Sequence, residues 1–369
     1  MEFSVDRGEF LEGLALTQGV VERRNTLPIL ANALLDASGK ELSISATDLE
    51  VHVKRRVRAK IKKPGAATVG ARKFFEFVRE LKPGEVTVRL LENQFVEIVS
   101  GRSRVKLVGL PAAEFPSFPL PEAKGSLGFE VPKENLARMI DCTLFAVSTD
   151  ETRPHLGGVL LSVKPGTLRF VGTDGHRLAL IEQPLPGTPT EPRAVILPRK
   201  GLSELRKMLE GETGATRLIV GSNVVRVEQG EVELAMRLVE GEFPNYEQVI
   251  PQSSKYTIAV DKSELLSALR RVSVVASDRA RGVKLQVSPG QLLVAANSPD
   301  FGEASEEIEI SFTGEELAVG FNSRYLMDVL GVLGDAQKVE IGLTDDASPG
   351  VIRGEDDEGY RYVVMPMRL

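Results

Sequence analysis

Apolar positions along this chain recur in a block of about 125 residues, and the block is written three times. Each block opens on a strand-like alternation around Phe3, Phe129 or Tyr256, followed by a capping turn. Apolar residues then fall at three- and four-residue steps: Phe10 and Leu14; Leu136, Met139 and Ile140; Leu265, Leu269 and Val272. That spacing predicts one amphipathic helix per block. A second is predicted by Phe74, Phe77, Val78 and Leu81, by Leu202, Leu205 and Leu209, and by Leu326, Val329, Leu330 and Leu333. Between helices the period drops to two, as in residues 42–46, 86–90 and 218–221, with Gly, Pro and Asn as punctuation. One-sided helical stripes must bury against something, most simply a sheet. The expected fold is α+β: three tandem copies of one domain, with antiparallel sheets carrying two helices per copy on one face. Residues 116–128 and 244–255, rich in Pro, Ser and Glu, read as linkers. They place the domains at 1–125, 126–253 and 254–369.

Composition adds bounds. A hydrophobic content of 42% with 27% charged residues is that of a globular chain, and each third is long enough for its own core. No apolar run approaches the ~20 residues of a membrane helix, and the chain opens directly on a strand, so a cytosolic setting is expected. The single cysteine, Cys142, rules out an internal disulfide framework and reads as a small buried hydrophobe. A net charge of −6 argues against indiscriminate coating of nucleic acid, but not against a basic surface confined to one face.

The cations are placed unevenly. On the second helix of the central copy Arg199 and Arg206 stack two turns apart, as do Lys200 and Lys207; Arg72, Lys73 and Arg79 occupy the matching helix of the first copy. Solvated faces with ion pairs to Glu76, Glu204 and Glu210 are one reading. The other is a shared basic surface that attracts phosphates without regard to sequence. Acid gathers in the third copy, at Asp300, Glu303, Glu306, Glu307 and Glu309. It is either a solvated edge or the complement of Arg102, Arg104 and Lys106 on a second chain. Head-to-tail contact of that kind can close a ring, with Val105, Leu107, Val274 and Val275 supplying its buried part.

Thr173-Asp-Gly-His-Arg177 looks like chemistry, yet the chain has only His52, His155 and His176, and no nucleophile motif, metal-ligand spacing or phosphate loop accompanies them. Leu49 and Glu50, and Pro299 and Asp300, stand at the matching positions of the other copies. A site present once in three suggests a binding pocket; turn residues with no further role are the competing reading, and catalysis the remote one. The ending Tyr362-Val-Val-Met-Pro-Met-Arg-Leu369 is too apolar for a solvated tail and suits the wall of a peptide groove.

These features together resemble the β subunit of bacterial DNA polymerase III, the sliding-clamp family. The resemblance spans the whole chain and rests on the triplication, Arg24-Asn-Thr-Leu-Pro-Ile-Leu30, Ala71-Arg-Lys-Phe-Phe75, Ser100-Gly-Arg-Ser-Arg104, Thr173-Asp-Gly-His-Arg-Leu178, Pro198-Arg-Lys-Gly201 and the ending. It implies a non-catalytic head-to-tail homodimeric ring around duplex DNA, sheets outside and helices inside, without cofactor or metal. Implied partners are the replicative polymerase, a clamp loader, and other polymerases and repair proteins that dock short motifs; no membrane is involved. The implied groove takes Leu156, Thr173, Gly175, His176, Arg177, Leu178, Pro244, Val249, Val363, Val364, Met365, Pro366, Met367, Arg368 and Leu369. Implied DNA contacts are Arg24, Arg72, Lys73, Arg79, Arg138, Arg199, Lys200, Arg206 and Lys207, with Asp150, Arg153 and His155 on a loop. The dimer interface would take Lys73, Arg102, Arg104, Val105, Leu107, Val274, Val275, Glu303, Glu306 and Glu307. Pro154 and His155 stand where the family often carries two tyrosines, and Gln248 where it often carries an arginine.

Overall fold

Six helices form at the places the apolar spacing marks: α1 (Arg7–Thr17), α2 (Ala71–Glu80), α3 (Lys133–Leu144), α4 (Arg199–Met208), α5 (Lys262–Val272) and α6 (Ser323–Val332). The computed structural model describes residues 1–21, 27–122, 124–187, 191–211, 214–277 and 281–368. Side-chain oxygens start three of the helices by accepting the amides a first turn leaves unbonded. Asp6 Oδ1 accepts from Gly8 N at 2.7 Å, Asp261 Oδ1 from Ser263 N at 2.8 Å, and Asn322 Oδ1 from Arg324 N at 3.0 Å. The marked stripes are the buried faces: Phe10, Leu14, Phe74, Val78, Leu202, Leu205, Val329 and Leu330 are all 2% exposed or less. Phe77 is half-buried at the stripe's margin. None of the described helices is long and apolar enough to cross a membrane.

The chain forms two compact units, and they divide the central third between them. One joins Met1–Leu136 to Lys200–Leu238; the other joins Ala137–Arg199 to Val239–Leu369. In the first, thirteen strands make one antiparallel sheet. Strand Val232–Arg237 of the central copy pairs with Val51–Val57 of the first, Leu234 opposite Val53, so the sheet runs on from one copy to the next. Helices α1 and α2 cover the first copy's part, where Phe10 meets Phe74 edge to face at 5.2 Å over a core of Phe3, Ile44, Val88 and Ile98. In the second unit an eight-stranded sheet is built the same way. Strand Arg177–Pro184 pairs with Tyr360–Val364, Leu178 opposite Val363. A four-stranded sheet ends at Gly302–Glu309.

The stretches read as linkers are partly structured. Leu127 and Gly128 already belong to strand Leu127–Pro132, because its alternation starts there. Tyr246 and Ile250 pack onto a small cluster of Leu160, Leu178, Leu180 and Val363, which draws residues 246–250 down onto the sheet. Cys142 lies buried in α3, and burial pushes its thiol up to about 11, out of the range of a ready nucleophile.

His52, on the strand that carries the sheet across copies, stacks on Phe118 with ring centres 5.4 Å apart. Burial first, and the Lys54 ammonium second, lower its imidazole from 6.5 to about 4. Between those values the unfolded chain takes up a proton that the folded chain refuses, so this group's contribution to stability is lost as pH falls from 6.5 toward 4. Urea melts near neutrality and near pH 5 are expected to show the natural chain losing about 2 kcal/mol more than His52→Gln over that interval. Equal losses in the two proteins would refute this account of His52.

Candidate functional site

The turn at 173–177 is a piece of repeat architecture. Thr173 Oγ1 donates to Arg177 O at 2.6 Å and accepts from Gly175 N at 3.1 Å, while Asp174 Oδ1 accepts from His176 N and Arg177 N at 2.9 and 3.0 Å. The first copy repeats this with Thr47 and Asp48: Thr47 Oγ1 donates to Val51 O at 2.8 Å, and Asp48 Oδ1 accepts from Glu50 N and Val51 N at 2.9 and 2.6 Å. Gly175 has φ +91°, the left-handed region; Leu49 bears φ +78° at the matching place. Asp174 is thus spent on the turn and on Arg177, and no bond joins it to the His176 imidazole. The geometry is that of a rim, not of an acid–base pair.

What sets the central copy apart is Arg177. Its side chain is 8% exposed. The guanidinium donates to Asp174 at 3.1 Å, Asp328 of α6 at 2.6 Å and Phe145 O at 2.7 Å, and lies over the Tyr325 ring at 4.3 Å. Burial works against its charge, and the surrounding oxygens, Asp328 among them, outweigh that and raise its pKa. One cation therefore ties the turn to the end of α3 and to α6. A buried pair of this kind is costly to break and fixes geometry more than it adds stability.

Beside Arg177 opens a cavity of about 230 Å³. Leu156, Thr173, Gly175, His176, Arg177, Leu178, Pro244, Val249, Val363 and Met365 line it, together with His155, Asn245 and Tyr246. Val364 does not: strand alternation turns it to the opposite face, where it is fully buried. Pro366, Met367 and Arg368 lie beyond the lining, and Leu369 is outside the described residues. The tail is held by Met365 N donating to His176 O and Met367 N donating to Gly320 O, both at 2.9 Å. Tyr360 and Tyr362 anchor its strand, their hydroxyls donating to Cys142 O and Tyr325 O at 3.2 and 3.0 Å.

The opposite wall has an anchor that repeat and motif reasoning passed over. Arg169 donates to Glu182 at 2.8 Å, to the Tyr246 hydroxyl at 2.7 Å and to Glu247 at 2.9 Å, pinning residues 246 and 247 to the sheet. Its sequence signal was an arginine inside an apolar strand, Thr167–Thr173. Gln248 is exposed and does not line the cavity.

The residues assigned to DNA divide between the two units, and most have a partner of their own. The ion pairs anticipated on the helices form: Arg72 and Lys73 to Glu76 at 2.9 and 2.7 Å, Arg206 to Glu210 at 3.3 Å, and Lys207 to Glu204 at 2.7 Å. Arg79 reaches Glu80 at 3.2 Å. Such surface pairs hold little energy and exchange readily, so they leave the cations available to phosphate. Lys200 is turned instead toward the first copy, against buried Asp48 and Val20 O. Arg138 pairs with Asp357 at 2.5 Å, and Arg199 opens α4, exposed. On the loop, Arg153 donates to Asp150 at 2.9 Å and to Asp174 O at 3.3 Å, seating the loop on the turn; His155 becomes part of the cavity wall. Arg24 lies outside the described residues. Among the described residues no group of His, Cys, Asp and Glu could hold a metal ion.

Of the interface candidates, Arg104, Val105, Leu107, Glu303, Glu306 and Glu307 lie on edge strands, while Lys73 is on α2 and Val274 and Val275 follow α5. Strand Ser103–Leu110 pairs along one side with Phe95–Ser100, but on the other only through Gly109 and Leu110. Arg104 is exposed on it and Arg102 in the turn before it, while Val105 and Leu107 lean half-buried on the first copy's core. Gly302–Glu309 has one neighbour, Gln291–Ser298, with Glu303 and Glu307 exposed. Glu306 points the other way, to Arg271 Nε at 2.7 Å in the same chain. Val274 is 79% exposed and Val275 half-buried. Val108 and Phe301, 67% and 62% exposed, are apolar edge residues that the charge pattern alone did not mark.

Comparison with known proteins identifies the family. Family descriptions of the DNA polymerase III beta subunit match residues 1–119 (N-terminal domain), 130–245 (central domain) and 247–368 (C-terminal domain). The beta sliding clamp of Pseudomonas aeruginosa is 40% identical, and that of Escherichia coli 38%, each alignment covering 100% of both chains. A crystal structure of the DNA polymerase III subunit beta from P. aeruginosa bound to griselimycin superposes with a TM-score of 0.95 at 40% identity over 100% of both chains. With three tandem clamp domains matched in order and full-length relatives at this level of identity, the chain belongs to the DNA polymerase III beta-subunit family, the sliding clamps.

Proposed function

We propose that two copies of this chain close head to tail into a ring that encircles duplex DNA, does no chemistry, and tethers the replicative polymerase in the cytoplasm. The observation that carries the docking part is the cavity of about 230 Å³ between the turn at 173–177, the tail strand and the Arg169-pinned wall. Its lining of Leu156, Leu178, Val249, Val363 and Met365, rimmed by His176 and Asn245, suits a short apolar peptide motif with a few polar contacts. Griselimycin bound to the P. aeruginosa clamp favours the same reading. A clamp loader and other polymerases and repair proteins would compete for this notch.

Retention on DNA in this reading is topological. Cations on α2, α3 and α4 give sequence-independent, exchangeable contacts with phosphate, which allow sliding where base-specific hydrogen bonds would stall it. Tethering then raises the polymerase's effective concentration at the primer end. Ring closure is assigned to the open edge of 103–108 meeting the open edge of Gly302–Glu309 on a second chain, cations against acids. The domain limits are proposed near 125, within the gap between the first two matched family segments, and near 253, a few residues inside the third.

Three outcomes are expected. After loading, the protein stays on closed circular DNA and is lost when the circle is cut; equal retention on both forms would count against a ring. Removing residues 365–369 abolishes binding of a polymerase-tail peptide while the chain stays folded and dimeric; undiminished affinity would remove the groove assignment. Val274→Glu with Val275→Glu gives monomers by burying unpaired charge, and a dimer that survives at low micromolar concentration in a sedimentation run would exclude that surface.

A further inference from the structure

A second cavity, of about 450 Å³, shares a wall with the docking groove. Val249 faces the groove, and the next residue, Ile250, begins the second cavity. Val363 faces the groove, while Val351, directly opposite it on the neighbouring strand, lines the other side. The two spaces therefore lie next to one another on one face of the eight-stranded sheet. Gly342 lets residue 254 approach the sheet, since a Cβ there would collide with Ser254 Oγ.

The second lining has a different chemistry. Gln252, Ser253, Ser254 and Thr257 offer an amide and hydroxyls, and Glu340, Arg353 and Arg361 bring charge. Arg353 Nε donates to Glu340 Oε2 at 2.6 Å, so those two charges offset each other. Arg361 is left. It sits two residues before Val363 on the same strand, hence on the same face, and is exposed. Among the described residues its side chain has no hydrogen-bond or ion-pair partner. An unengaged guanidinium beside hydroxyl and amide donors is a receptor for a carboxylate. A phosphate dianion would suit it less, because Glu340 is in the same lining.

We infer that this cavity binds a carboxylate carried by the docking peptide itself, next to the residues that fill the groove. The inference rests on the groove reading above and adds to it a charge preference in the partner. A segment leaving the groove over Val249 and Ile250 comes directly to Arg361, so one continuous peptide can occupy both spaces.

Fluorescence anisotropy with the full-length dimer tests this. The probes are an amidated polymerase-tail peptide, the same peptide extended at either end by Asp or Glu, matched Asn or Gln extensions, and the parent with a free terminal carboxylate. An acidic extension at one end is expected to tighten binding by about three- to fivefold at low salt, the scale of an exposed ion pair. Arg361→Gln removes that gain and leaves the parent peptide's affinity unchanged. An Arg361-dependent gain from the free terminus alone assigns the carboxylate to the chain end instead of a side chain. Acidic and amide extensions that bind equally, or a gain that survives Arg361→Gln, overturn the subsite while leaving the groove standing. Failure of the parent peptide to bind overturns both.

Discussion

A sheet edge carries backbone amides and carbonyls that must find partners, and in this chain the search for those partners joins the repeats. Val232–Arg237 completes the edge at Val51–Val57, and Tyr360–Val364 completes the edge at Arg177–Pro184. Each seam fixes register as well as contact, because a slip by one residue would turn every inward side chain outward. The cavity beside Arg177 depends on the second seam. Val363 lines the cavity only because the pairing of Leu178 with Val363 presents it there. The two edges left open among the described residues, 103–108 and Gly302–Glu309, carry opposite charge.

Within that framework one turn serves two purposes. In the first copy Thr47 and Asp48 close a turn and Asp48 also meets Lys200, while Leu49 bears the positive φ that glycine would adopt without strain. In the central copy the same hydrogen bonds are kept, while Gly175, His176 and Arg177 turn the rim into part of a cavity. The residues that differ between the two copies are those whose side chains the turn itself does not need. Arg177 then extends the rim's reach to α6 through Asp328 and Tyr325.

Much of this was legible in the residues. Period-three-and-four apolar spacing marked all six helices, since Phe10, Phe74, Leu202 and Val329 could be buried in no other way. The apolar ending marked a groove wall, although Val364 had to wait for strand alternation to place it on the other face. Three things were not legible. Pairing between copies links residues far apart in sequence and leaves no local pattern. Arg169 resembles any strand arginine until Tyr246, Glu182 and Glu247 are seen converging on it. Lys200 shares its helix with Arg206 and Lys207, but only the fold places buried Asp48 within its reach.

The pairing of Arg177–Pro184 with Tyr360–Val364 also spans most of the second half of the chain, so its closure carries a loop entropy that a local turn does not. Until it closes, Tyr360 and Tyr362 have not reached the carbonyls of Cys142 and Tyr325, and one wall of the cavity is missing. The cavity and the anchoring of those two tyrosines therefore hang on one long-range pairing.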